Sequence, residues 1–277
     1  MHWLMKAPIS VLVIVGVIAW GGAYSLFAES PQEGPSAPPV VALPEGAEQL
    51  PDFSAFPAGK ARKEAFFDYL LPIVRHINSQ LKVERFQLQQ LRLAAISAEG
   101  LTPPQQRALN GLLDKYEVEE ESIEDQLAIL WRRVDTIPAS LALAQAANES
   151  AYGTSRFAVD ANNLFGQWCF SRGCGLVPNA RLDDANHEVR KFATPVDSVR
   201  SYMHNLNTNR AYATLRQMRS KQRASKQPPS GLELVNALLR YSSRGQDYVD
   251  ELSSMMRHNK LARFDIPLPV TDQKARQ

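Results

Sequence analysis

"ALAQAANESAYGTSRFA" occupies positions 142–158. Its first half is Ala and Leu, the best helix-forming pair of small and large apolar residues. Helices so rich in small residues pack closely against their neighbours. Into this one the sequence sets a single carboxylate, Glu149, one turn before Gly153 and an open polar stretch. A Glu so placed is either a solvated surface residue or an acid held for chemistry, and the surrounding chain decides between them.

Upstream, "DTIPAS" announces the helix, with Pro138 suited to a first turn that needs no N–H. At about 100° per residue, Glu149 shares a face with Ala142, Gln145 and Ala146, a small and partly polar face fit for a groove floor. Downstream, "NNLFGQWCFSRGCGLV" (162–177) is turn-rich and aromatic, and "HEVRKFA" (187–193) alternates like a short strand. Helical spacing returns over 196–207, 211–218, 232–241 and 248–258, with a polar loop over 220–230. The body is therefore expected to be α+β, mostly helical, with one small β lobe after the Glu149 helix.

Apolar residues recur at helical steps from Arg62 to Leu93, and a second helical run is expected from Gln105 to about Trp131. Its acidic "YEVEEESIED" (116–125) reads as a solvated face. Before these lies the Pro-rich "SPQEGPSAPPVVALPEGAEQLPDF" (30–53), which reads as an extended tether. Residues 7–28 carry no charge and follow Lys6, as a cleaved signal peptide or a membrane anchor would. Both readings export the body and put the N-terminus on the cytoplasmic side. The divisions are 1–28 signal or anchor, 29–60 tether, 61–130 helical region, 131–265 the domain bearing Glu149, and 266–277 tail.

The 277 residues are 44% hydrophobic and 22% charged, which suits a globular core. A net charge of +2 argues against a dedicated nucleic-acid binder. Between Ser198 and Lys226, however, the charged residues are all basic. That run is either a solvated face or an attraction for an anionic polymer. Cys169 and Cys174 lack the spacing and the His partners of a metal site, so in an oxidising compartment a small-loop disulfide is expected. His187 has no partner at metal spacing, and no metal or cofactor is expected.

A helix-borne Glu beside a small β lobe suits sugar hydrolysis, which needs a carboxylic acid kept neutral until it protonates a glycosidic oxygen. Burial beside Tyr152, Phe157, Phe165 and Trp168 would raise its pKa towards neutrality. The stretch "LALAQAANESAYGTSRFAVDANNLFGQW" (141–168) resembles the signature of glycoside hydrolase family 73, bacterial N-acetylglucosaminidases that cut peptidoglycan on a lysozyme-like fold. The Gln-Ala-Ala-x-Glu-Ser core, Gly153 and the Asn-Asn-Leu-Phe-Gly run carry the match. "VDTIPASLALAQAANES" and "FGQWCF" are similar to the Bax-like branch, which extends weakly upstream to Phe66.

The resemblance implies an exported peptidoglycan hydrolase, an endo-β-N-acetylglucosaminidase with Glu149 as general acid. Tyr152, Asn163, Phe165 and Trp168 become candidate sugar contacts, although Asn163 also suits a chain turn and Trp168 plain packing. Members often carry a second Glu in the β lobe. Here Glu188 lies 188 − 149 = 39 positions on, with Asp183 and Asp184 as rivals, and the family's Glu-Tyr pair is not visible. A separation near about 5 Å implies a nucleophile, and about 6.5–9.5 Å a base activating water. The third route is attack by the substrate's own acetamido group. Strand alternation puts Glu188 opposite Val189 and on the open side of the lobe.

"RYSSRGQDYVDEL" (240–252) resembles the family's late Tyr-Ala-Thr-Asp-Pro-x-Tyr motif with the middle replaced. Tyr241 then matches the tyrosine near the acetamido group, and Tyr248 a core aromatic. The expected partner is the peptidoglycan glycan strand, with the membrane touched through the N-terminal segment if uncleaved and no obligate protein partner. The expected location is periplasmic or otherwise extracytoplasmic. Rival functions are a lytic transglycosylase, which also relies on one Glu, and a catalytically silent wall-binding protein.

Overall fold

The computed structural model describes residues 35–178 and 187–266. The chain divides into two units, Met1–Ser36 and Ala37–Gln277, and the second holds every helix and strand named below. The signal-or-anchor segment 1–28, Asp183, Asp184 and the tail from 267 lie outside the described residues. No helix among the described residues is long and apolar enough to cross a membrane.

The centre of the body is α4 (Ala139–Ser150). Every residue from Ala139 to Ala147 is buried, so the helix is core on all sides rather than amphipathic. Its alanines let neighbours approach closely: α1 (Lys60–Ala95), α8 (Gly231–Leu234), α9 (Gln246–His258) and the 3-10 turn Leu261–Phe264 all pack on it. Enlarging Ala142, which is fully buried, would overpack this junction by about 1–3 kcal/mol. Asp265 caps the start of α4, its carboxylate accepting from the Ser140 amide at 2.8 Å and hydroxyl at 2.6 Å.

Helix α1 runs 36 residues and serves two cores. Its first half packs Phe66, Leu70, Ile73 and Ile77 against α4. Its second half packs Leu88 and Leu91 against α2 (Pro103–Lys115) and α3 (Ile123–Arg133). The expected single helix over 105–131 is broken between these two. Tyr116 and Val118 turn inward there and Glu117 takes φ 56°, so the acidic stretch is a junction with buried members, not one solvated helical face.

The Pro-rich segment is likewise attached rather than free over its described part. Val41 donates its amide to Ser79 Oγ, Tyr69 donates to the Ala47 carbonyl, and Phe53 is buried against Phe66 and Tyr69. Proline rigidity made it read as a tether; its few apolar residues anchor it to α1.

The β lobe is a three-stranded antiparallel sheet of order β1-β3-β2, from Trp168–Cys169, Glu188–Arg190 and Gly175–Leu176. Trp168 pairs with Val189, Cys169 with Glu188 and Gly175 with Arg190. Helix α5 (Arg156–Ala161) leads into it and α6 (Pro195–Thr208) leaves it. This small sheet set beside a helical core gives the chain the α+β, mostly helical, lysozyme-like architecture.

Helix α7 (Ala213–Ala224) extends through part of the expected polar loop. Its cations divide: Lys221 is exposed, as a solvated face requires, while others turn inward. Arg216 and Arg219 are buried, and Arg219 donates to the carbonyls of Arg132 and Thr136 and to Asn207 Oδ1. Arg223 pairs with the Asp135 carboxylate at 2.7 Å, which Arg85 and Arg219 also face at 3.6 Å. Arg219 and Arg223 thus clamp the turn from which α4 starts, while Arg200, Arg210, Lys221 and Lys226 stay exposed. Buried carbonyls need donors, and here arginines supply them.

Candidate active site

Glu149 sits half-buried in the last turn of α4. The chain then makes a tight reversal: Ala151, Tyr152 and Gly153 all take positive φ, at 49°, 56° and 78°. Left-handed backbone costs non-glycine residues roughly 1–2 kcal/mol each. The Ser150 hydroxyl stabilises the turn by donating to the Ala146 carbonyl and accepting from the Gly153 amide. Tyr152 is wedged edge-on against Phe66 and Phe67, with Lys63 over its ring. A Cβ on Gly153 would run into the Phe53 ring, so this position requires glycine twice over.

Opposite Glu149 the chain passes close at Gly166. A Cβ built there would lie 3.0 Å from the Glu149 carboxylate, and Gly166 has φ +63°. The Asn-Asn-Leu-Phe-Gly run therefore forms a wall of the acid's niche. Asn163 organises that wall: its amide donates to the carbonyls of Gln167 and Arg190 at 2.8 Å each, and its oxygen accepts from the Phe165 and Gln167 amides.

Below Glu149 runs a buried chain of polar groups. Tyr202 donates its hydroxyl to Gln145 Oε1 at 2.7 Å, and Gln145 donates its amide to the Tyr248 oxygen at 3.1 Å. The Tyr248 hydroxyl faces the Glu149 carboxylate and favours its anion. Since Gln145 already donates to that oxygen, the phenol proton is left to point at Glu149. Gln145, Tyr202 and Tyr248 are all fully buried, so each link sits in a low-dielectric interior.

Burial pushes the Glu149 pKa above its ordinary value. The Tyr248 hydroxyl, Arg244 and the Asn148 amide favour the anion and oppose this only in part, while the nearby Glu251 charge adds to the rise. Arg244 is tied to Glu251 at 2.6 Å. The result is a carboxyl biased towards its neutral form, with a hydrogen-bond donor below it.

Tyr241 stacks on Tyr248 with centroids 5.7 Å apart and planes 2° from parallel. Its hydroxyl donates to the Phe165 carbonyl at 2.8 Å, which leaves a lone pair to accept from a ligand. Tyr212 lies 6.0 Å from Tyr241, and its phenol feels the Glu149 charge. From Tyr212 and Gln167 a cavity of about 810 Å³ opens along α6 to Trp168 and Phe170. Trp168 is 58% exposed and stacks on His187 with centroids 4.3 Å apart.

The sequence candidates divide accordingly. Glu149 and Tyr241 meet in one niche, linked through Tyr248, and Trp168 presents a free ring face on the groove. Asn163 and Phe165 are each 1% exposed, the first saturated by backbone and the second stacked on Tyr202, so their side chains shape the niche rather than face the cleft. The face shared by Ala142, Gln145 and Ala146 is interior and not a groove floor. Glu188 does not lie on the open side of the lobe. It is 5% exposed, and its two oxygens accept from the amides of Gly173 at 3.0 Å and Gly175 at 2.8 Å. The Gly173 amide belongs to the loop closed by the Cys169–Cys174 disulfide, and Gly175 follows it directly on β2. Strand alternation fails because that loop folds over the carboxylate. The sulfurs of Cys169 and Cys174 lie near Glu188 as metal ligands might, but they are joined to each other and offer no thiolate.

Sequence reasoning missed Tyr248, Gln145 and Tyr202 as one unit. The signal was a glutamine in an otherwise apolar helix, a polar group that needs buried partners.

Comparison with known proteins shows the family. Residues 124–261 match the glucosaminidase family model, described as mannosyl-glycoprotein endo-beta-N-acetylglucosaminidase. The chain is 31% identical to the protein Bax of Escherichia coli (strain K12) over 214 residues, covering 76% of this chain and 74% of that protein. No solved structure matches it. With the matched segment enclosing α4, the niche wall and α9, the chain belongs to the Bax-like glucosaminidase family.

Proposed function

We propose that this protein is an exported peptidoglycan hydrolase, an endo-β-N-acetylglucosaminidase with Glu149 as its general acid. The observation that carries the reading is the half-buried Glu149 carboxyl, raised in pKa by burial and set between the Gly166 wall and the stacked Tyr241 and Tyr248 rings. Export is supported by the Cys169–Cys174 disulfide, since such bonds persist in oxidising compartments.

In the first step the neutral Glu149 gives its proton to the glycosidic oxygen as the C1–O bond breaks. The second group favoured is the substrate's own acetamido oxygen, which bonds to C1 as the leaving sugar departs. Two features support this route. The Glu188 carboxylate is already engaged by two amides, and Tyr241 has an oxygen lone pair free to take the acetamido N–H. Glu149, now anionic, then takes a proton from the water that opens the cyclic intermediate at C1. The acid is restored and the anomeric configuration retained.

The test is digestion of purified sacculi by the full chain and by Glu149→Gln, with mass spectrometry of the released sugars. Reducing N-acetylglucosamine ends, lost on the order of 10²–10⁴-fold in Glu149→Gln, are expected. Anhydro-muramyl ends would move the reading to a lytic transglycosylase. Binding to sacculi with no cleavage by wild type would move it to a silent wall-binding protein.

A further inference from the structure

The groove beside the niche is lined by more than a glycan chain requires. One wall is the β lobe, where Trp168 and Arg190 stand on paired strands. The other is the 3-10 turn carrying Arg210 and Tyr212. Ser201 and Asn205 of α6 lie between them. Most charges here are committed: Arg133 donates to the Glu117 carbonyl at 2.7 Å, and Glu117 faces His204 at 3.8 Å. Arg190 and Arg210 are different. Both are exposed, and among the described residues neither has a carboxylate within ion-pair distance. Arg190 lies over the Phe192 ring at 5.2 Å, which fixes its guanidinium without neutralising it.

We propose that Arg190 and Arg210 form a carboxylate-binding site for the acidic peptide branches of the glycan, with the sugars running past Trp168 and Tyr212. This rests on the reading of the preceding subsection and names the part of the substrate that the groove reads. A bare chain of N-acetylglucosamine offers two cations nothing to pair with. A glycan whose alternate sugars bear short peptides brings carboxylates within reach of both walls while its sugar faces meet the aromatic rings. The guanidinium fork suits a carboxylate bidentately. A second cavity of about 450 Å³ shares Arg190, Ser201 and His204 with the groove and leads away towards Glu84 and Lys115 on the helical region. It gives a branch room to leave the cleft.

The experiment compares peptide-bearing glycan strands with strands stripped of peptides by an amidase, the lactyl carboxylates that the amidase frees then being capped as methyl amides. Wild type, Arg190→Gln/Arg210→Gln and a control of equal charge, Arg107→Gln/Arg257→Gln at exposed positions of α2 and α9, are assayed on both. The ratio of kcat/KM on bearing over stripped strands is expected to fall about tenfold in the double variant and to hold in the control, the size of one charge-assisted hydrogen bond. The same preference should appear in retention of Glu149→Gln protein on immobilised peptide-bearing against immobilised stripped strands. That readout works for a protein that binds and does not cut, so failure of the hydrolase reading is distinguishable. A double variant with an unchanged ratio, or with equal losses on both substrates, overturns the proposal, as does Glu149→Gln protein retained equally by both kinds of strand.

Discussion

The hydroxyl of Tyr248 on α9 faces the carboxylate of Glu149 on α4, bringing together two residues about 100 positions apart in sequence at the proposed acid. It favours the anion and so trims the pKa rise that burial imposes. Tyr248→Phe removes it. The Glu149 pKa should then rise further, and the alkaline limb of the activity profile should move to higher pH. The Gln145 amide would also lose its acceptor, costing about 1–3 kcal/mol of stability. A pH–rate profile on soluble glycan fragments checks the sign. An alkaline limb moving to lower pH would show that Tyr248 does not donate to the acid.

A buried acid also leaves a mark on stability. The Glu149 pKa is raised in the folded state, so the fold disfavours the charged form. Stability is full below the unfolded value near about 4.3 and declines as pH rises through the folded value. Glu149→Gln, which carries no charge, should therefore melt at higher temperature than wild type at pH 7. The gap should close towards pH 4. Melting curves of both proteins across that range test this. A gap constant with pH would mean that the gain has another source.

Asp135 behaves oppositely. Burial pushes its pKa up, but Arg219, Arg223 and Arg85 together outweigh this and hold it below the usual carboxylate range. Its contribution is present above the unfolded value of about 3.9 and lost as pH falls through the folded one. Asp135→Asn at pH 7 leaves three guanidinium groups facing a neutral amide, one of them fully buried, and should cost about 3–5 kcal/mol. Chemical denaturation at pH 7 and again near pH 3 should show the penalty shrinking at the lower value.

The Glu149 helix, its preceding proline, the β lobe and α9 were all legible, because apolar spacing and turn residues act locally. What the sequence hid was pairing over distance. Seven basic residues between 200 and 226 resemble a solvated run, yet Arg219 is interior because carbonyls of residues 132 and 136 need its donors. Tyr248 reads as core, and it is core; its hydroxyl matters only once α9 is laid beside α4. Glu188 was misplaced for a related reason. Alternation assigns faces to a strand of three residues, but a disulfide loop laid over that strand can bury either face.

That loop makes the sharpest distinction between a carboxylate that holds structure and one that does chemistry. Glu188 accepts from Gly173 and Gly175, and the disulfide from Cys169 to Cys174 closes the same turn, so the two should act as a unit. Replacing both cysteines by serine frees a short loop, worth on the order of 2 kcal/mol in chain entropy. Glu188→Ala strands two amides and should cost about 1–3 kcal/mol, while Glu188→Gln keeps one acceptor and should recover part of it. If the carboxylate braces the loop, the cysteine and Glu188 variants will be non-additive by about 0.5–3 kcal/mol in a double-mutant cycle. Activity will then follow stability, with Glu188→Gln above Glu188→Ala. A catalytic carboxylate predicts another pattern: Glu188→Gln as inactive as Glu149→Gln, with the lobe intact and no coupling to the disulfide. Denaturation of the four cycle members, with sacculus digestion by each, decides between them.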